Sequence, residues 1–423
     1  MTKSGWKRAR LGDESIALTA SGGTPDRSNP ENFGGGIPWV KSGELDDNLI
    51  LTTAETLTRS GLAGSSAKVF PPGTLLLAMY GATAGKTGIL GIEASTNQAV
   101  CSIFPQKGSF DSQFLQFQLI YLRPTLLSAR SGGAQPNISQ RVISTVEVAL
   151  PPIREQQAIA KALLTVQKAK AVRQRELILE RERKAALMKH LFTFGTLGAN
   201  RHTKDSKYGK VPCDWKVLPL DECAFMQTGV AKGRKLLNSE TVSVPYLRVA
   251  NVQDGYLNLS EVKSITIRKS ELSRFQLQQG DVLLTEGGDF DKLGRGFIWN
   301  GKVTPCVHQN HIFAVRPRAD FLTPEFFAFQ VQSPYGKSYF LSVAHRTTNL
   351  ASINKTKLGR FPTLIAPLAE QASVVRFLKA CDAKIAALER EIKLSEELLR
   401  ATLEEFMSDR LAVIQRTEDG KPL

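Results

Sequence analysis

The sequence is poor in cysteine and has no long apolar run. Its five cysteines (Cys101, Cys213, Cys223, Cys306 and Cys381) are an odd number with no Cys-x-x-Cys spacing, which supports neither a disulfide framework nor a zinc knuckle. No segment approaches the roughly 18 consecutive apolar residues of a membrane-spanning helix, and the N-terminus lacks the apolar stretch of a signal peptide. We therefore expect a soluble protein of the reducing cytoplasm.

Signatures of catalysis are also missing. Residues 81–87 resemble a phosphate-binding loop but have three residues between their glycines, where that loop needs about four. Asn29-Pro30 lacks the second proline and the aromatic residue of an amino-methyltransferase motif, and Pro25-Asp26 lacks the acidic-x-Lys partner of a nuclease. His308 and His311 have no further metal ligands nearby in the sequence. We expect no catalysis by this chain and no metal or cofactor bound to it.

What the chain does have is ordinary globular composition with an excess of positive charge. Its 423 residues are 42% hydrophobic and 22% charged, which is enough for about two to four folding units. Lysine and arginine outnumber aspartate and glutamate by 55 to 40, giving a net charge of +15. This balance favours a polyanionic partner.

Two copies of one plan follow each other along the chain. Matched segments share short motifs, and their offset grows from 207 to 215 residues: 37–41 with 244–248, 72–77 with 279–284, 97–99 with 308–310, and 150–156 with 365–371. A direct repeat of this kind indicates two related modules, the second with longer loops.

A long segment almost free of glycine and proline follows each module and predicts a helix. In the second segment ten positions from 374 to 406 recur at alternating steps of four and three residues, and all but Ser395 and Thr402 are apolar or cysteine: Val374, Leu378, Cys381, Ile385, Leu388, Ile392, Leu399 and Phe406. In the first, the same frame contains Ile159, Leu163, Val166, Leu177, Leu187 and Leu191, with Lys170, Arg173, Glu180 and Lys184 interrupting it. The first helix is basic and the second mildly acidic, so we expect them to pair. The alternative is that each helix packs on its own module.

The predicted fold class is α+β. It consists of two tandem-repeat globular domains, each followed by a long helix, with the two helices forming an antiparallel coiled coil. A helix of 40 residues is about 60 Å long, so the pair would be a spacer between the modules. Short helices are predicted at 112–122 and 324–332. The predicted boundaries are 1–152 for the first domain, 153–195 for its helix, 196–367 for the second domain, 368–410 for its helix and 411–423 for a flexible tail.

Basic and polar residues lie in equivalent loops of the two modules. Arginine and lysine pair with guanine edges, asparagine and glutamine with adenine edges, and all of them with phosphates. The candidates in the first module are Lys41, Tyr80, Lys86, Asn97, Gln98, Arg130, Gln135 and Asn137. Those in the second are Lys232, Arg234, Lys235, Arg248, Asn251, Lys292, His308, Asn310, Arg346, Thr347 and Asn349. Taken singly, each is more often a solvated or capping residue; their shared placement singles them out as a group.

Along nearly its whole length the chain resembles the specificity subunit of Type I restriction-modification systems. The matching motifs are Trp6 with 11–13, then 35–40, 73–79, 96–99 and 151–157, with a degenerate second set at 245–251 and 367–371. Each motif is short. Their doubled order, with a long helix after each proline-containing junction that ends in Glu-Gln, carries the resemblance.

The resemblance implies a non-catalytic DNA-binding subunit. Each domain would read one half of a bipartite, asymmetric target, and the helices would set the gap between the halves. Two copies of an adenine methyltransferase subunit would dock on the helices, and restriction and translocase subunits would complete a phage-defence complex in a prokaryotic cytoplasm. S-adenosylmethionine, ATP and Mg²⁺ would bind to these partners. The interrupting Lys170, Arg173 and Lys184 would be free to face methyltransferase or DNA.

Two alternatives remain open at this stage. One is a detached recognition module of a fused restriction-methylation enzyme, and the other is a helix-mediated scaffold without nucleic acid.

Overall fold

The structure is a computed structural model that describes residues 6–106, 108–128, 138–233, 236, 240–288, 293–346 and 351–407. The chain divides into two compact units. Unit 1 comprises the residues up to Gln174 together with those from Arg390 onward, and unit 2 is Arg175–Glu389. Each unit therefore contains one globular domain and a part of both long helices.

Unit 1 is a mixed α/β domain. Its strands are β1 (Lys7–Arg10), β2 (Ala17–Ser21), β3 (Phe33–Val40), β4 (Asn48–Ile50), β5 (Glu55–Leu57), β6 (Val69–Phe70), β7 (Leu75–Ala78), β8 (Thr87–Leu90), β9 (Ala94–Thr96), β10 (Val100–Pro105) and β11 (Glu147–Leu150). Its helices are α1 (Arg59–Ala63), α2 (Ser112–Ser128), α3 (Gln140–Ser144) and the first part of α4 (Ile153–Phe194). The helix predicted at 112–122 thus continues to Ser128, with Pro124 inside it.

The core of unit 1 lies on both faces of a five-stranded sheet ordered β2-β10-β7-β8-β4. Strand β7 is buried throughout. Leu75 and Leu77 pack with Leu115 of α2 on one face, and Leu76 packs with Val40 on the other. A strand covered on both faces reads as a continuous apolar run, which explains the sequence of β7. A second sheet, β5-β3-β9-β6, supplies Val40.

Unit 2 repeats this plan with additional elements. Its strands are β12 (Thr203–Ser206), β13 (Gly209–Pro212), β14 (Lys216–Pro219), β15 (Ala224–Thr228), β16 (Thr241–Leu247), β17 (Lys263–Arg268), β18 (Val282–Thr285), β19 (Gly287–Gly288), β20 (Gly296–Ile298), β21 (Val307–His308), β22 (Ile312–Pro317), β23 (His345–Arg346), β24 (Ala351–Ser352) and β25 (Pro362–Ile365). Its helices are the remainder of α4, α5 (Leu220–Cys223), α6 (Leu272–Phe275), α7 (Pro324–Gln332), α8 (Pro334–Val343), α9 (Lys355–Gly359) and the first part of α10 (Leu368–Met407). Helix α7 has the predicted bounds.

Strand pairing shows that the sequence repeat is a structural repeat. The sheet order β2-β10-β7-β8 in unit 1 has its counterpart in β15-β22-β18-β20 in unit 2. The antiparallel pair β1 and β11 corresponds to β14 and β25, and the parallel pair β3 and β9 corresponds to β16 and β21. Among the described residues, unit 2 also contains the hairpin β12-β13 and the small sheet β19-β24-β23.

A buried glutamine fastens each long helix to its domain. In unit 1, Gln156 Oε1 accepts a hydrogen bond from the Asp111 N–H (2.8 Å), and Nε2 donates one to the Pro151 carbonyl (2.9 Å). In unit 2, Gln371 Oε1 accepts from the Thr323 N–H (2.9 Å), and Nε2 donates to two backbone carbonyls. Asp111 and Thr323 cap the first turns of α2 and α7. Each junction glutamine therefore links the start of a long helix to the start of a domain helix.

A tryptophan–glutamate hydrogen bond accompanies each glutamine. Trp6 Nε1 donates to Glu155 in unit 1 (3.3 Å), and Trp215 Nε1 donates to Glu370 in unit 2 (2.9 Å). The Glu-Gln pair of the junction motif is therefore structural in both units, because both of its side chains make hydrogen bonds that hold the helix start.

The two long helices pair antiparallel within each unit. In unit 1, Lys170 pairs with Glu396 (2.9 Å) and Arg173, further along α4, pairs with Glu391 (2.8 Å), which comes earlier on α10. In unit 2, Arg181 likewise pairs with Glu389 (2.7 Å) and Lys184 with Asp382 (2.5 Å). This order is that of an antiparallel pair, as the fold class predicted.

The predicted seam residues face inward in both units. In unit 1, Ile159 and Leu163 are buried in one cluster with Leu403 and Met407, while Val166, Ile392, Leu399 and Phe406 are half-buried. In unit 2, Leu191, Val374, Leu378, Cys381 and Leu388 are buried, while Leu177, Leu187 and Ile385 are half-buried.

The structure corrects the interpretation of the basic residues that interrupt the seam of α4. The resemblance left Lys170, Arg173 and Lys184 free to face methyltransferase or DNA, but each makes an ion pair with an acidic residue of α10. The basic residues that interrupt the apolar seam of α4 are therefore part of the helix pairing, because acidic side chains of α10 lie opposite them.

Candidate nucleic-acid interface

Most of the described DNA-contact candidates of unit 1 lie in loops at the ends of its strands, on one side of the sheets. The Asn97 N–H donates to the Val40 carbonyl (3.0 Å), and the Met79 N–H donates to the Ala99 carbonyl (2.8 Å). These hydrogen bonds join the ends of β3, β7 and β9 to the start of β10. We call residues 22–24, 41, 79–86 and 97–99 the first loop edge.

Unit 2 gathers the equivalent positions in the same way. The Gln309 N–H donates to the Leu247 carbonyl, and the Glu286 N–H donates to the His311 carbonyl, both at 2.9 Å. We call residues 229–232, 248, 286–288, 295 and 309–311 the second loop edge. Most of the described DNA-contact candidates therefore lie at equivalent edges of the two units.

These bonds correct one detail of the repeat. Asn97 was matched with His308, but the backbone bonds place Asn97 with Gln309 and Thr96 with His308. The correspondence is shifted by one residue, because the sequence does not show where in the loops the insertions of the second module lie.

The candidates at the first loop edge are partly exposed, and most have acidic or polar neighbours. Lys41 pairs with Glu55, and this hydrogen bond holds the pKa of the Glu55 carboxyl below its ordinary value. Lys86 pairs with Asp46 (2.6 Å). Tyr80 is 36% exposed. Gln98 is exposed and accepts a hydrogen bond from the Thr24 hydroxyl, while Asn97 accepts one from the Ala99 N–H.

Three DNA-contact candidates of unit 2 lie at the second loop edge. Lys232 is exposed, Asn310 is half-exposed, and Arg248 pairs with Glu261 (3.1 Å).

The prediction that Asn251 contacts DNA is wrong, because its side chain is 4% exposed and makes hydrogen bonds only to the backbone. It shapes the turn that follows β16 and is not available to a ligand.

The prediction that His308 contacts DNA is also wrong. Its side chain is 0% exposed, and burial lowers its pKa to about 4. A histidine held neutral inside the domain cannot contact DNA in this conformation.

The remaining candidates lie outside the described residues. They are Arg130, Gln135, Asn137, Arg234, Lys235, Lys292, Thr347 and Asn349. Arg346 lies in β23, where its backbone pairs with Ala351. The described neighbours of these segments lie at the loop edges: the Ile138 N–H donates to the Met79 carbonyl (2.9 Å), and Gly288 pairs with Ala351.

Three residues of the second loop edge were not predicted from the sequence. Glu286 and His311 form a pair with Nδ1 2.6 Å from Oε2. Arg295 follows the same turn as Lys86, because the Thr285 N–H donates to its carbonyl as the Ala78 N–H does to that of Lys86. A residue-by-residue match of the two turns could have found Arg295 from its equivalence to Lys86.

The described residues offer no metal site, membrane-spanning helix or reactive buried thiol. Among the described residues, no group of three or more histidine, cysteine or acidic side chains could hold a metal ion. No helix in the described part of the chain is long and apolar enough to span a membrane. Burial raises the pKa of Cys101 and of Cys306 to about 12, so neither is a thiolate at neutral pH.

Two related domains on paired helices, each with a polar loop edge, define a class of two-module recognition proteins. A family model for the type I restriction modification DNA specificity domain matches residues 3–180 and 212–398. The chain therefore belongs to this family and carries two copies of its domain.

Curated relatives agree with this assignment. The EcoKI specificity subunit of Escherichia coli strain K12 is 24% identical over 373 residues, which cover 84% of this chain and 77% of the relative. The MjaVIII specificity subunit of Methanocaldococcus jannaschii is 21% identical over 420 residues, 96% of this chain and 93% of the relative. The alignment with the putative MjaX specificity subunit of the same organism spans only about half of that relative, 48%.

Solved structures show the same fold. The S subunit of a type I restriction-modification system from M. genitalium matches with a TM-score of 0.56 at 13% identity, covering 96% of both chains. A chain from a structure on complex assembly and conformational transition of the type I R-M system matches with a TM-score of 0.58 at 18% identity, covering 97% of this chain and 99% of the other.

Proposed function

We propose that this chain is the non-catalytic specificity subunit of a type I restriction-modification system. Each unit binds one half of a bipartite, asymmetric DNA target, and the chain directs methyltransferase and restriction subunits to it. One observation carries the proposal: two copies of the family's DNA specificity domain present equivalent loop edges with different side chains. Two loop edges with the same backbone arrangement and different side chains suit a DNA target whose two halves differ in sequence.

The ion pairs at the loop edges are compatible with DNA binding. The pair of Lys86 with Asp46 is exposed, with 38% and 77% of the two side chains accessible, and Glu261 beside Arg248 is 68% exposed. Exposed ion pairs contribute only about 0–1 kcal/mol. These cations can therefore exchange a carboxylate for a DNA phosphate at little cost, with a further gain from release of counterions.

The outer surface of the helix pair supports docking of a protein partner. In unit 1, Val172, Leu394 and Leu398 are 55%, 63% and 54% exposed. In unit 2, Leu179 and Phe377 are 48% and 44% exposed. Leu394 and Leu398 are four residues apart and share a helix face. Large apolar side chains on otherwise charged helices are typical of an interaction surface, and we assign it to the methyltransferase subunits, of which we expect two copies.

The chemistry of modification and cleavage would then belong to the partners. S-adenosylmethionine would bind to the methyltransferase subunit, and ATP and Mg²⁺ to the restriction and translocase subunits. This chain would contribute recognition alone, in the cytoplasm of a prokaryotic cell.

Sequencing of the methylome tests this proposal. Cells that express the chain with its methyltransferase subunit are compared with cells that express the methyltransferase alone. A bipartite adenine-methylated motif that requires the chain is expected. No such motif, although the two proteins co-purify, would contradict the proposal and favour the scaffold alternative.

A further inference from the structure

Glu286 and His311 form an accessible polar pair at the second loop edge. His311 Nδ1 lies 2.6 Å from Glu286 Oε2. Since an ionised carboxylate only accepts hydrogen bonds, Nδ1 carries the proton of this contact. The Glu286 side chain is 31% exposed and that of His311 is 56% exposed. The carboxylate is thus held by one oxygen, and no hydrogen bond from another described side chain reaches Oε1.

The two units hold this position in the same backbone frame. In unit 2, the Ile353 N–H donates to the Glu286 carbonyl (2.8 Å), and the Glu286 N–H donates to the His311 carbonyl (2.9 Å). In unit 1, Ile138, Met79 and Ala99 make the same two bonds. Glu286 therefore stands where unit 1 has Met79, and His311 stands where unit 1 has Ala99. An apolar pair in one unit is a polar, accessible pair in the other.

A structural role accounts poorly for this difference. Unit 1 builds the same frame without an acid or a histidine, so the frame does not depend on the pair. A solvent-exposed contact between two polar side chains contributes little to stability, even when both are charged. At a surface that meets DNA, a carboxylate is repelled by phosphates and loses its hydration, unless a donor on the nucleic acid replaces the water.

The base edges offer that donor. In the major groove the exocyclic amino group of cytosine donates a hydrogen bond, and glutamate accepts from it. Guanine presents only acceptors in this groove and repels a carboxylate. A carboxylate at a loop edge is therefore a means of selection, because it is favourable against the amino group of cytosine and unfavourable against the acceptors of guanine.

We propose that Glu286, oriented by His311, selects a cytosine in the half-site that unit 2 reads. This inference rests on the proposed DNA-specificity function. Glu286 is the residue that contacts the base, and His311 is a positioning residue that turns Oε1 toward the groove.

The test uses the chain assembled with its methyltransferase subunit and a panel of duplexes in which every target position carries each of the four bases. Glu286→Gln keeps the size of the side chain and adds an amide N–H that can donate to N7 of adenine, while its carbonyl oxygen can accept from the N6 amino group. We expect the preference for cytosine over adenine to change by roughly tenfold or more at one position of one half-site. His311→Ala should weaken discrimination at the same position and leave the preferred base unchanged.

Two further variants test whether the effect is specific to this pair of residues. The double variant Glu286→Met with His311→Ala installs the residues of unit 1 and should abolish discrimination at that position only. Asp320→Asn is the matched control. Asp320 is likewise a carboxylate next to a basic side chain, that of Arg318 (3.4 Å). It follows the C-terminal end of β22, whereas His311 precedes the N-terminal end of that strand. It should leave all preferences unchanged.

An unaltered preference in Glu286→Gln, or an equal loss of affinity for every duplex, would overturn the inference. So would normal discrimination by His311→Ala if Glu286→Gln did not assemble. Failure of the proposed function would be seen earlier and separately, because the unmodified chain would then show no bipartite target.

Discussion

At the scale of single residues, equivalent positions of the two units share a backbone role and differ in their side chains. Thr96 and His308 are the last residues of β9 and β21, the second strands of the two parallel pairs. Their carbonyls accept from the N–H groups of Gly23 and Val230 at 2.9 and 2.7 Å. The close approach requires glycine at Gly22 and Gly229, where a Cβ atom would lie 1.9 Å from these carbonyl oxygens. The backbone conformation is thus the same at this position of both units, and in unit 2 the residue there is a buried histidine, His308.

The buried imidazole makes unit 2 sensitive to acid. Burial lowers the pKa of His308 from 6.5 to about 4. Between these values the unfolded chain binds a proton that the folded chain does not, so stability is lost as the pH falls from 6.5 toward 4. We expect the loss to reach about 3 kcal/mol, and His308→Thr, which installs the residue of unit 1, to remove it. Urea unfolding of both chains at pH 7 and pH 4.5 measures this; parallel pH profiles would contradict the prediction.

At the scale of elements, repeats and periodicity predicted most of the fold. The bounds of α7, the antiparallel helix pair and the α+β class were predictable, because proline punctuation and a seven-residue period are local signals. The role of Lys170 was not predictable from its own helix, since its partner Glu396 lies 226 positions away in the sequence. His308 and Asn251 were misassigned because side-chain type does not reveal burial. Glu286 and His311 come together only through the pairing of β18 with β22.

The junction glutamines are the clearest case of a short motif with a structural cause. Gln156 is 1% exposed, and its neighbour Gln157 is exposed. Gln156→Leu would leave the Asp111 N–H and the Pro151 carbonyl unpaired, which should lower the free energy of unfolding by about 2–4 kcal/mol. Gln157→Leu is the matched control and should change it by less than about 0.5 kcal/mol. Thermal unfolding measures both, and hydrogen exchange at Asp111 reports the local opening. Equal effects of the two substitutions would show that the glutamine does not fasten the helix.

At the scale of the whole molecule, each long helix takes part in both units. Helix α4 begins in unit 1 and ends in unit 2, and α10 begins in unit 2 and ends in unit 1. Each domain therefore packs against the start of one helix and the end of the other, as Leu163 and Leu403 do in unit 1. Neither helix can change length alone without displacing the seam in which its partner's residues lie.

This sharing makes the gap between half-sites a property of both helices together. Seven residues inserted after Gln174 and seven after Glu389 preserve the seven-residue phase of the seam and lengthen each helix by about 10 Å. If the helices set the gap, the methylated motif should keep both half-sites and gain about three base pairs between them. Insertion in one helix alone is the control and should abolish methylation, because the pairs Lys170–Glu396 and Lys184–Asp382 can then no longer both be in register. An unchanged gap in the double insertion would show that the spacing is set by the methyltransferase subunits or by the DNA, and not by this chain.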